Sequence, residues 1–148
     1  MNAIKQITNL EMMSKVEAIV YSFRKRFPES LSDLKPWINS SETQQFNDPN
    51  SIDIGFYFPT LNSACQCRSI LMQVKIQRES DHQACKVLGI QLSGYEAYRE
   101  QWQFSAIGNW AFSGVSTPAA DAQGLLKQVC YQIVQLFDSS QISQKESY

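Results

Sequence analysis

The sequence predicts an α+β fold: a two-layer sandwich in which an antiparallel meander of four strands carries an N-terminal and a C-terminal helix on one face. Three observations predict it. Apolar residues recur at helical spacing over the first 27 positions and again after Pro118. Between Ser51 and Phe112 the apolar period drops to two. Every alternating run has one apolar and one polar side, which is the pattern of a sheet covered on one face only.

The first helix opens at Thr8-Asn9-Leu10-Glu11, which has the form of a capping box, with Ile7 and Met12 at the staple positions. Met12, Val16, Ile19, Val20, Phe23 and Phe27 form its apolar stripe. Arg24, Lys25 and Arg26 fall in the last turn, where cations oppose the negative end of the helix dipole, and Pro28 ends it. Ser30 to Asp33 is expected to cap a very short second helix, pinned to the core by Leu31, Leu34 and Trp37. Asn39 to Asn50 is polar and turn-rich, the longest loop of the chain, and long loops in compact domains tend to be functional or mobile.

Ile52, Ile54, Phe56 and Phe58 then alternate with polar or small residues, as do Ile70, Met72, Val74 and Ile76. Leu88, Ile90 and Leu92 make a third run, and Trp102, Phe104, Ala106, Trp110 and Phe112 a fourth. Gly108-Asn109 is read as a bulge within that last strand; as a hairpin turn it would give five strands. Thr117 and Pro118 open the final helix, whose stripe runs from Ala122 to Phe137, and residues 139–148 read as a frayed tail on a single domain, 1–138.

Composition narrows the function. Net charge is −1, so the strong basic excess of a duplex-binding module is absent. Gln101 to Ala120 carries no charge, yet its Gln, Asn, Ser, Gly and Pro content does not suit a membrane span. Without a leader pattern the expected location is the cytoplasm, with thiols reduced.

Cys65, Cys67, His82 and Cys85 have the ligand types of a zinc site. In a hairpin, however, the first two thiols start a strand whose far tip holds His82 and Cys85, roughly 30 Å away at ~3.3 Å per residue. Zinc bonds of ~2.0–2.3 Å cannot span that, so neither metal nor cofactor is expected. His82 and Cys85 stand three residues apart with Asp81 beside them, but a base and nucleophile are ordinarily brought together from distant parts of a fold, and a lone histidine in a polar loop is ordinarily solvated. Carboxylates are scattered and no glycine run cradles phosphate, so no catalytic set emerges.

The polar face of the sheet remains. Tyr57, Ser69, Gln73, Gln91, Gln103 and Ser105 should share it, with Leu71 and Lys75. Solvated sheet faces are common, but they ordinarily carry Lys, Glu and Thr. With 16 Gln and 18 Ser in the chain, this one is amide-rich and nearly neutral, which suits a protein partner or a second copy. The sequence therefore points to a non-enzymatic interaction module, an adaptor, chaperone or regulator that self-associates as a homodimer. Two alternatives stay open. One is a small-molecule or enzymatic pocket between the sheet and the 39–50 loop, using Asp53 or His82. The other is single-stranded nucleic acid on the sheet face, where Tyr57 with Arg68 and Lys75 would stack and neutralise.

Overall fold

The computed structural model describes residues 1–38, 47–78 and 85–146, and for 139–146 the backbone alone. Six antiparallel strands lie in chain order, β1 (Leu31–Asp33), β2 (Ser51–Asn62), β3 (Cys67–Arg78), β4 (Cys85–Glu96), β5 (Arg99–Ser105) and β6 (Ala111–Gly114). Three helices accompany them: α1 (Ala3–Gln6), α2 (Leu10–Arg26) and α3 (Ala120–Glu146). The class is α+β, as expected, but with six strands in place of four or five.

Two of the extra elements have simple causes. Leu31 to Asp33 forms an edge strand, not a short helix, because Leu31, Ser32 and Asp33 pair with Tyr57, Phe56 and Gly55. Leu34 reaches the core, whereas Leu31 is exposed. The run from Trp102 to Phe112 is a hairpin, not one bulged strand: Phe104 pairs with Phe112 and Trp102 with Gly114. Folding at residues 106–110 joins even numbers to even numbers, so the alternation survives the turn and hides it.

The even-numbered residues of the strands build the core. Ile52, Ile54, Phe56, Ile70, Met72, Val74, Ile90, Leu92, Trp102 and Phe104 are all buried in one cluster with Val16, Ile19 and Phe23 of α2 and Leu126, Val129, Ile133 and Phe137 of α3. Phe23 stacks on Phe56 at 3.8 Å between ring centroids. The two helices also bond each other: Ser22 Oγ donates to Gln132 Oε1 at 2.7 Å, and Arg26 donates to Gln132 and Gln128. Arg26 and these glutamines are thus the polar seam of the helix pair.

Local details depart from expectation by small steps. The N-cap of α2 is Asn9, whose Oδ1 accepts from Met12 N at 2.8 Å, one residue after Thr8. α3 begins at Ala120, two residues past Pro118, and its backbone stays helical to Glu146 through the segment expected to fray. Leu88 is exposed because a bulge between Lys75 and Ile76 pairs Ile76 with Val87 and Lys75 with Gly89, leaving Leu88 over.

The candidate site: the odd-numbered face of the sheet

The pleat sends alternate side chains to opposite faces, and the register then fixes which odd-numbered residues are neighbours. Asp53, Gln73, Gln91, Ser105 and Ala111 form one row across β2 to β6. The next row is Asp33, Gly55, Leu71, Ser93, Gln103 and Ser113. A third holds Leu31, Tyr57, Ser69 and Tyr95. All six residues predicted from parity therefore share one face: Tyr57 pairs with Ser69, Gln73 with Gln91, Gln91 with Ser105, and Gln103 with Ser93. Tyr57 and Gln103 are exposed, and the other four are half-buried.

The chain before β2 covers the β2 side of this face. The ring of Pro36 lies over Gly55, where a side chain would meet its Cβ at 3.5 Å. Trp37 donates its indole Nε1–H to Asp53 Oδ2 at 2.6 Å. Asp53 also accepts from Ser51 Oγ and from the Met1 amino nitrogen, the latter at 2.9 Å, and is wholly buried. Three donors, one of them a cation, satisfy this buried carboxylate. Asp53 is thus a fastening for the N-terminal segment, and the pocket residue that sequence reasoning made of it is not what its partners allow.

Between the Trp37 segment and the β4–β5 hairpin runs a groove of about 710 Å³, floored by Gly55, Ser69 and Leu71 and walled by Trp37, Tyr57, Tyr95 and Tyr98. Asp33 and Arg68 are its charged lining residues. Tyr57 donates its hydroxyl to Asp33 Oδ2 at 2.5 Å; burial first, and this carboxylate second, push its pKa up to about 12. Burial also raises Tyr95, with Glu100 adding to it.

The hairpin on the groove's rim is strained. Glu96 pairs with Arg99, which leaves Ala97-Tyr98 as a two-residue turn with φ of +48° and +67°. That backbone is ordinarily occupied by Asn-Gly, and an L-residue in it costs roughly 1–2 kcal/mol. Tyr98 is completely exposed. Tyr95, Tyr98 and Trp37 were missed at the sequence level. Tyr95 had a signal, since it continues the odd series of β4; Trp37 had none beyond the missing side chain at Gly55 beneath its loop.

The thiols lie elsewhere. Cys67 pairs with Asn62 at one end of β3, while Cys85 pairs with Arg78 at the other. Eleven residues separate those positions, about 36 Å at the strand rise. Cys65 sits in the turn before β3, not on the strand, and its carbonyl accepts from Trp102 Nε1 at 2.7 Å. All four cysteines are buried. Burial pushes Cys65 and Cys130 up to about 12 and raises Cys67 and Cys85 as well. A thiol held protonated in this way is a poor nucleophile and a poor ligand. Among the described residues no three His, Cys, Asp or Glu side chains are grouped to hold a metal. His82 and residues 39–46 of the long loop lie outside the described residues.

Fold and face together define an α+β protein with one covered and one open sheet surface. The chain belongs to a family whose model, described as a domain of unknown function, matches residues 4–139. No curated protein and no solved structure matches the chain. Among the described residues no helix is long and apolar enough to cross a membrane.

Proposed function

We propose that the protein is an interaction module that binds protein through the odd-numbered face of its sheet, and that one partner is a second copy of itself. One observation carries the proposal: Gln73, Gln91, Gln103, Ser69, Ser105 and Tyr57 lie in adjacent rows, neutral and capable of both donating and accepting, beside an aromatic groove. Neutral amides lose little on dehydration when a partner returns their hydrogen bonds, and identical faces meet without like-charge repulsion. Three strands of twelve residues and three shorter ones, at ~3.3 Å rise and ~4.8 Å spacing, give a face of roughly 800 Å², part of which lies under Pro36 and Trp37. A stable interface needs about 800 Å² per partner, so the raised rim of Trp37 and Tyr98 belongs in the contact. The buried thiols of Cys65, Cys67 and Cys130 suit a reducing compartment such as the cytoplasm.

Light scattering on a sizing column at micromolar concentration is expected to give a dimer. Gln91→Glu places two carboxylates against each other across that contact and should return the monomer with no change in melting temperature. A wild-type chain that stays monomeric, or a dimer indifferent to charge at Gln91 and Gln103, removes the support.

A small-molecule ligand in the aromatic groove is the second reading, favoured by its volume, which falls in the ~300–1,000 Å³ range of ligand pockets. Single-stranded nucleic acid fits less well. Tyr57 and Arg68 line the groove together, but Lys75 stands six residues along β3 from Ser69, about 20 Å away.

A further inference from the structure

Strand β1 is an edge of the sheet, and its residues line a groove on each face. On the odd face is the aromatic groove, which Asp33 and Pro36 line. On the even face a second groove, of about 750 Å³, runs between β1 and α2; Ser32 and Leu34 form one wall, and Val16, Val20, Tyr21 and Met13 the other. Tyr21 is exposed and Val20 is only partly buried, so this groove offers apolar surface to solvent.

An edge strand with a side-chain groove on each face is the arrangement that strand addition uses: backbone hydrogen bonds hold an added strand, and its alternate side chains enter the two grooves. The charges say what that strand must be. Arg24 and Lys25 stand exposed beside the start of β1, where Arg24 Nε donates to Ser30 O at 3.0 Å. Lys35 and Lys5 stand exposed at its other end, where Ile4 N donates to Leu34 O at 3.0 Å. Of the three carboxylates nearby, Asp33 already accepts from Lys35 N and from Tyr57, Glu29 accepts from Asn62 Nδ2 at 2.9 Å, and Glu17 lines the even-face groove. Cations thus bracket the edge of a chain whose net charge is −1.

We infer that β1 captures an extended segment of another protein, with apolar residues at alternate positions and acidic residues at both ends. A second copy is the wrong occupant. Pairing two β1 edges antiparallel would set Arg24 and Lys25 of one chain against Lys5 and Lys35 of the other. This site shares the aromatic groove's rim with the sheet-face contact proposed above but does not depend on that contact.

The test uses the full chain and a fluorescein-labelled peptide of three valines alternating with two threonines, flanked by two glutamates at each end. Saturable binding in fluorescence anisotropy is expected, with new hydrogen-exchange protection at residues 31–34 and none at 111–114. A peptide flanked by lysines should bind about tenfold more weakly. Lys25→Glu with Lys35→Glu should reverse that preference, a charge swap that mere loss of folding cannot produce. Gln91→Glu, which frees the groove's rim from the sheet-face contact, should not weaken this binding, which separates its failure from that of the sheet-face contact. Absence of saturable binding, protection away from residues 31–34, no reversal by the charge swap, or concentration-dependent protection of 31–34 without peptide would each overturn the inference.

Discussion

The two faces of one sheet differ by a single residue of phase, yet they obey different rules. On the even face every strand side chain from Ile52 to Phe58 and from Ile70 to Ile76 meets a helix or another core residue. On the odd face the same strands present amides, hydroxyls and small residues in open rows. The comparison teaches that the fold's stability is concentrated on one side of a backbone whose other side is free to be used for recognition. Glycine shows it most directly. A Cβ at Gly94 would come 2.3 Å from the Trp102 ring, and one at Gly89 would come 2.1 Å from Ile107 Cγ1. The clashes look alike, but Trp102 is wholly buried and Ile107 is exposed.

The largest effect should come from Trp102→Ala, which empties the even face under β5 and removes the bond to the Cys65 carbonyl. A loss of about 3–5 kcal/mol in denaturant unfolding is expected. The glycine pair then sharpens the contrast. Gly94→Ala should cost about 1–3 kcal/mol because Trp102 cannot move aside, whereas Gly89→Ala should cost less than about 1 kcal/mol because the Ile107 side chain can swing into solvent. Equal costs at the two glycines would break the distinction.

Asp53 is the exception on the odd face, and it tests whether burial or parity decides. Asp53→Ala leaves Trp37 Nε1 and the Met1 amino group without their acceptor. Removing one side of a buried, bonded charge costs about 3 kcal/mol or more. The unfolding free energy should fall by about that amount, with the Trp37 fluorescence reporting release of the N-terminal segment. A loss under 1 kcal/mol would mean that the fastening contributes little.

Alkaline stability separates the faces by chemistry. Cys65 in the turn before β3, Cys67 at the start of β3 and Cys130 in the stripe of α3 are thiols held protonated by burial above the ordinary value near 9. Their folded pKa values exceed the unfolded ones, so the stability they contribute is complete below about pH 9 and is lost as pH rises toward 12. The melting temperature should be level from pH 7 to about 8.5 and fall above it, and Cys130→Ala should flatten the fall. A melting curve unchanged to pH 11 would contradict the burial of these thiols.

Much of this was legible in the sequence because the pleat has a period of two and the core side is apolar. The six candidate residues of the odd face fell together for that reason alone. What escaped were features in which periodicity is silent. β1 is three residues long and owes its place to the pairing of Asp33 with Gly55, not to a pattern of its own. The β5–β6 hairpin conserves parity across its turn. The Lys75–Ile76 bulge breaks parity, which is why Leu88 was misplaced. The aromatic groove needed Trp37, a loop residue whose position depends on a bond to Asp53 sixteen positions later.

The smallest effect is the most specific to the open face. Ala97 sits at φ +48° in the hairpin that carries Tyr98 to the groove rim. Glycine at that position relieves roughly 1 kcal/mol of left-handed strain and returns about half of it as extra freedom in the unfolded chain. Ala97→Gly should therefore stabilise the protein by about 0.5 kcal/mol, a rise of some 1–2 °C in melting temperature. Tyr98→Gly relieves its neighbour in the same way but removes the ring. If strain is kept so that an aromatic stands on the rim, the two variants should be alike in stability and opposite in self-association, with only Tyr98→Gly weakening the dimer. Equal dimerisation of both would assign the strained turn to the hairpin's own closure and leave Tyr98 without a part in binding.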